Sequence, residues 1–146
     1  MSATRDRERL VDDLLEAVTG WATARSDVRA VGVAGSWARG EARPDSDVDL
    51  VVLVDDPKSV FASEGQDIAH EFGVDGRVVI EDWGAVTAIR GYSPDGLEIE
   101  IGITTPAWAS VDPLDAGTRE VIRGGFRIVY DPEGLLAAAV AAAKDA

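Results

Sequence analysis

Two apolar runs, Val28 to Ala34 and Val48 to Val54, are joined by a segment that opens on Gly35-Ser36 and closes on Asp47-Val48-Asp49. That order leaves few architectures open. The spacing reads as a strand, a glycine turn, a short helical Ala/Arg segment that Gly40 can end, and a second strand entered through its acids. Residues two apart on a strand share a side, so Asp47 and Asp49 project together while Val48 and Leu50 face the other way.

Each part of this pattern has a chemistry. A pair of carboxylates beside a phosphate-bearing ligand is the donor set that magnesium takes, because this hard cation is usually held by one or two carboxylates plus substrate phosphates. Gly35 lets the backbone come close to a phosphate, the helix start after it offers N–H groups to an anion, and Ser36 adds a hydroxyl. Arg39 and Arg43 lie between the two halves, where a guanidinium can grip phosphate oxygens in a bidentate way. Ser46, directly before Asp47, either orients a ligand or phosphate or closes a local turn on the backbone. Taken singly, Gly-Ser after a strand is an ordinary turn and Asp-x-Asp an ordinary solvated edge. It is the joint order that points to a nucleotide and a metal.

On these residues the chain resembles the nucleotidyltransferase superfamily that includes DNA polymerase beta, the aminoglycoside nucleotidyltransferases and the minimal nucleotidyltransferases. The matched signature is Gly35-Ser36 followed by Asp47-Val48-Asp49, and the resemblance extends over about Val28 to Ile103. It implies an α/β (α+β) fold of the polymerase beta-like kind, a mixed central sheet of about five strands flanked by helices. It also implies that Gly35 and Ser36 contact a nucleoside triphosphate and that Asp47 and Asp49 bind two magnesium ions. A third acid from a later strand then completes the metal site and helps to deprotonate the attacking hydroxyl. After the turn signal Asp95-Gly96, Leu97 to Ile103 alternates with period two and sets Glu98 and Glu100 on one face. Glu100, nearer the middle of the strand, is the preferred third acid, and Glu98 stays open beside it.

The function expected from the resemblance is magnesium-dependent transfer of a nucleoside monophosphate, AMP from ATP, to a hydroxyl of a small-molecule acceptor of the aminoglycoside kind. Two other readings stand beside it. One is a minimal nucleotidyltransferase antitoxin that modifies a HEPN-type toxin partner, and the other is a noncatalytic nucleotide-binding module.

Composition narrows the partners. With a net charge of −13 and its basic residues scattered along the chain, the sequence has no basic stripe for a nucleic acid, so template-directed synthesis is not expected. The same charge attracts cationic acceptors. Cysteine is absent, which removes disulfides and thiolate metal sites. There is no apolar run of bilayer length, and Met1-Ser2-Ala3-Thr4-Arg5-Asp6-Arg7 lacks the apolar core of a signal peptide. A cytoplasmic protein without membrane contact is expected. Residues 1–146 read as a single domain, because no shift of composition marks a second. Larger relatives carry an added helical region that shapes the acceptor pocket, and little length remains here for one. A homodimer mate or a toxin partner is therefore expected to complete the site.

The rest of the chain reads as scaffold. Leu10, Val11, Leu14, Leu15, Val18 and Trp21 recur at helical spacing. Strands are expected near Val28 to Ala34, Val48 to Val54, Arg77 to Ile80, Ala85 to Arg90 and Leu97 to Ile103, with a helical stretch near Ser59 to Phe72 entered at Pro57 and left at Gly73. Asp112-Pro113 and Asp131-Pro132 each pair an N-cap residue with proline at the first helical position, Gly124-Gly125 ends the helix between them, and Leu135 to Lys144 forms the last helix. Arg90 either faces the site or pairs with a glutamate across strands. Trp37 either packs under the short helix or touches a nucleotide base, and His70 is a helix-surface residue without a role.

Overall fold

The computed structural model describes residues 3–39, 47–60, 66–82, 84 and 86–144. Helix α1 spans Ala3–Thr23, and its apolar stripe buries Val11, Leu14, Leu15, Val18 and Ala22. Strand β1 (Val28–Ala34), helix α2 (Ser36–Arg39) and strand β2 (Val48–Val54) follow in the predicted order. Next come helices α3 (Pro57–Val60) and α4 (Gln66–Glu71), then strands β3 (Asp75–Asp82), β4 (Thr87–Tyr92) and β5 (Glu98–Thr104). A 3-10 turn over Pro106–Ala109 leads to α5 (Ala116–Arg123), β6 (Phe126–Tyr130) and α6 (Leu135–Lys144). No helix among the described residues is long and apolar enough to cross a membrane.

The sheet has six strands in the order β3-β4-β5-β2-β1-β6, one more than expected. The addition is β6, whose Phe-Arg-Ile-Val-Tyr pairs antiparallel with β1 along one edge. Five residues without clean alternation give only a weak period-two signal, and pairing with β1 supplies the rest. β2 and β5 run parallel, and every other neighbouring pair is antiparallel. The sheet is mixed, as the resemblance implied.

Alternation divides the strands between two cores. On one face Val31, Val33, Leu50, Val52, Ile89, Ile99, Ile101 and Ile103 pack with α1 and α4. Trp21 meets Phe72 edge to face there, with ring centroids 5.0 Å apart. On the other face Ala30 and Leu53 pack under Leu114, Ile122, Leu136, Ala139 and Ala143. This second cover sits over the Ala30 end of β1 and the Leu53 end of β2, away from Asp49 at the start of β2.

Two helix starts differ from the sequence reading. Asp115, not Asp112, caps α5, its carboxylate accepting from the N–H groups of Gly117 at 2.9 Å and Thr118 at 3.2 Å. Asp131 accepts from the Leu136 and Ala137 N–H groups at 3.1 and 2.9 Å, but α6 begins at Leu135, so Pro132 precedes the helix. An N-cap residue followed by proline is a local signal, and in both places the chain continues into a turn before helix geometry starts. In the expected stretch from Ser59 to Phe72 the structure gives α3 and α4, and residues 61–65 lie outside the described ones.

Gly32 shows how tightly the second face is built. A Cβ there would clash with the Cζ edge of the Phe126 ring, which packs in turn on Trp108 with centroids 6.1 Å apart. Gly32→Ala is expected to displace that ring and lower stability by roughly 1–3 kcal/mol. Urea unfolding measures it, and an unchanged midpoint would count against this packing.

Candidate active site

The site is built from a cross-strand row. Ala34 on β1 pairs with Asp49 on β2, Asp49 pairs with Glu100 on β5, and Glu100 pairs with Arg90 on β4. Partners in register on one face bring their side chains together. Asp47, just before β2, joins from the same side, and ligand oxygens of Asp47, Asp49 and Glu100 all lie within 4.8 Å of one another. Among the described residues this is the one such acidic cluster.

Register also separates the two candidate third acids. Glu98 shares the face of Glu100 but lies one pair further out, opposite Tyr92, whose hydroxyl donates to it at 3.3 Å. Glu100 sits opposite Asp49, and the structure brings it, rather than Glu98, to the aspartates. Glu81 is engaged elsewhere, 3.1 Å from Arg90.

Arg90 reaches three acids at once. Its guanidinium lies 3.1 Å from Glu81, 3.6 Å from Glu100 and 4.0 Å from Glu98. Both sequence readings of Arg90 therefore meet in one residue, a cross-strand ion pair that touches the acidic cluster. These pairs are partly exposed, so their value lies in orienting Glu100 more than in stability.

Asp49 is the most constrained of the three carboxylates. Its Oδ1 is buried without a hydrogen-bond partner. Its pKa is pushed up from the usual carboxylate range to about 8, first by burial, then by the neighbouring charge of Asp47 and by Glu100. A half-buried carboxylate beside two more, with an orphaned oxygen and one partly exposed cation touching the group, is incompletely neutralised by the described residues. Three hard oxygen donors at this spacing fit a divalent ion such as magnesium.

On the β1 side of Asp49 the chain turns through Gly35 at φ 90°, a conformation that favours glycine, and enters α2 at Ser36. The Gly35 N–H donates to the Gly125 carbonyl at 3.0 Å, so this donor is engaged in holding the turn to the start of β6. Phosphate contact would fall to Ser36 and the start of α2. A Cβ on Gly35 would stand 3.5 Å from Asp49 Oδ2, so the turn and the acids are neighbours. Gly35→Ala is expected to cost about 1–3 kcal/mol through its positive φ. It should also weaken nucleotide binding, which thermal melts and calorimetry together would show.

Two sequence candidates are not placed in full. Ser46, like Arg43, lies outside the described residues, and of Arg39 only the backbone, closing α2, is described. Trp37 packs against the first core. His70 is exposed on α4. A cavity of about 650 Å³ between α1 and the α3–α4 region is lined by none of the site residues. A smaller one of about 240 Å³ opens on Asp49 and Glu100, and sequence reasoning missed it. Its lining comes from β1, β2, β4 and Val86 just before it, β5, the 3-10 turn and α5, and no local pattern joins them.

Residues 16–84 match the family model of the nucleotidyltransferase domain. The match includes Gly35, Ser36, Asp47 and Asp49 and ends before β4, so Glu100 lies beyond it. Among solved structures, the chain is similar to the polymerase core of TRAMP, an RNA surveillance complex, at 20% identity and TM-score 0.42. That likeness covers 68% of this chain and 31% of that one. It is also similar to a toxin–antitoxin structure with AMP-PNP at 12% identity and TM-score 0.43, covering 92% of this chain and 82% of that one. The chain thus spans about a third of the length of the first of these relatives. No curated protein matches it.

Proposed function

Because residues 16–84 match the nucleotidyltransferase domain model, we infer that the chain transfers a nucleoside monophosphate from a nucleoside triphosphate, ATP first among the candidates, to a hydroxyl of a small-molecule or protein acceptor. One observation carries this reading: the row that sets the Gly35-Ser36 turn, Asp49 and Glu100 side by side, with Asp47 completing the acids.

Asp47, Asp49 and Glu100 would hold magnesium, as two ions by the resemblance, and bound there the metal would offset charge on the attacking and leaving oxygens. The chain's own residues do the positioning on which such transfers mainly depend. Ser36 and the start of α2 meet the triphosphate, on the β1 side of the acids. Glu100, on the β5 side, takes the proton of the acceptor hydroxyl, and Arg90 keeps its carboxylate in place. The acceptor oxygen forms a bond to the α-phosphorus. The bond from that phosphorus to the β-bridging oxygen breaks, and pyrophosphate leaves with the electron pair.

Titration calorimetry of ATP and of GTP, with and without magnesium, tests the reading. Magnesium-dependent binding of one nucleotide is expected, followed by release of pyrophosphate in the presence of an acceptor. Binding that ignores magnesium, or no binding of either nucleotide, would count against it.

A further inference from the structure

The small cavity beside the acids has a construction of its own. On β5 and β2, the residues two steps after Glu100 and Asp49 are Gly102 and Val51, and on β4 the residue two steps before Arg90 is Ala88. The three pair across the sheet as Ala88–Gly102–Val51. Two residues along a strand is about 7 Å on the same face. A charged row therefore lies directly beside an apolar row of small residues. Gly102 has no side chain to raise the floor, and a Cβ there would press on Val86 Cγ1 at 3.2 Å and the Leu50 carbonyl at 3.3 Å. Trp108, Val86 and Val121 form the walls.

We propose that this slot holds the acceptor, and that the acceptor presents its nucleophilic hydroxyl on a compact apolar group, a single ring or short branched chain. The proposal rests on the nucleotidyl-transfer reading above. In-line displacement sets the attacking and leaving oxygens on opposite sides of the phosphorus. The Gly35-Ser36 turn lies on the β1 side of Asp49, so the pyrophosphate departs there, and the attacking hydroxyl arrives from the β5 side. The slot touches Ala34 on β1 at one end, and from Asp49 it extends to that side, along Glu100, Gly102, Ala88 and Val86. Its volume, about 240 Å³, is below the roughly 300–1,000 Å³ usual for a drug-sized ligand, so it takes one group and not a multi-ring body. Apart from Asp49 and Glu100, its described lining carries no charged side chain. The lining thus offers a polycationic amino sugar nothing beyond the acids that the metal would occupy.

The experiment uses the full chain with magnesium and the α-labelled form of whichever nucleotide binds. Benzyl alcohol and glucosamine serve as competing acceptors, and the readout is the labelled ester of each. The benzyl ester should dominate. Val121→Phe, at the exposed rim on α5, and Ala88→Val, in the floor, should each cut its formation roughly tenfold or more without a matching loss of nucleotide affinity by calorimetry. Val121 is partly exposed, so its variant keeps the test alive if Ala88→Val fails to fold. Preference for glucosamine, or variants without effect on ester formation, would overturn the proposal. Loss of nucleotide affinity in the Val121 variant would do the same, by showing that the slot holds the base. Wild-type protein that binds no nucleotide would instead remove the reading beneath it.

Discussion

Asp49→Asn is expected to abolish nucleotidyl transfer, by roughly 10³-fold or more, while making the metal-free protein more stable. Loss of activity follows from the donor set. The substitution keeps the volume and removes the charge from the carboxylate at the centre of the row, flanked by the glycine turn on β1 and by Glu100 on β5. Gain of stability follows from the same geometry. In wild type at alkaline pH a desolvated charge faces Asp47 and Glu100 with a buried, unbonded Oδ1. An amide carries no charge to desolvate, and its N–H₂ group can donate to either neighbouring carboxylate. A rise of about 2 kcal/mol at pH 8 to 9 without magnesium is expected. Urea denaturation beside a transfer assay measures both sides. An Asp49→Asn variant that retains transfer would remove Asp49 from the site, and one that is less stable than wild type at pH 9 would remove the electrostatic argument.

Stability of the wild-type protein without magnesium is expected to fall as pH rises from about 4 to 8. Asp49 has its folded pKa raised to about 8 against 3.8 in an ordinary environment. Below pH 4 it is protonated whether the chain is folded or unfolded, and its contribution is fully present. Between the two values the unfolded chain gives up a proton that the folded chain keeps, so each pH unit costs up to about 1.4 kcal/mol. Above about pH 8 the loss is complete. Water reaching the partly exposed cluster reduces the total to roughly 2–4 kcal/mol. Magnesium held by these acids would favour their ionised form, so its stabilising effect should be small at pH 5 and large at pH 8 to 9. Thermal melts over this range, with magnesium or with a chelator, give the comparison. A magnesium shift that does not grow with pH would show that the ion binds elsewhere. Asp49→Asn should flatten the metal-free profile and lose the magnesium shift.

Much of this site was legible before the fold was known, because its parts are local. A glycine directly after a β-branched run announces a turn whatever surrounds it, and Gly35 adopts the positive φ that such a turn needs. The two-residue period of a strand is a property of the backbone, so Asp47 and Asp49 on one side, and Glu98 with Glu100, could be read from spacing. The stripe of α1 was equally plain, since its buried residues recur every three or four positions. Less legible were signals that depend on what comes next. Asp112-Pro113 and Asp131-Pro132 looked like helix starts, yet a turn intervenes in both cases before α5 and α6 begin. β6 became a strand because β1 offered it an edge.

What the sequence by itself determined about this protein is the set of local parts: a glycine turn after a strand, paired carboxylates, and an acid-bearing strand later in the chain. These rest on residues within a few positions of one another, where backbone geometry alone fixes which side chains share a face. Tertiary structure decided which groups meet. The parallel pairing of β2 with β5 joins residues far apart in the chain, and its register, Asp49 opposite Glu100, selects one glutamate over its neighbour two residues away. Shifted by two residues, the same strands would bring Glu98 there instead, with every apolar side chain still on its own face. The apolar slot depends on the same register, since Gly102 falls between Ala88 and Val51 only when Glu100 falls between Arg90 and Asp49. Hydrophobic alternation is satisfied by either alignment. The packing of the whole sheet between its two cores is what chooses.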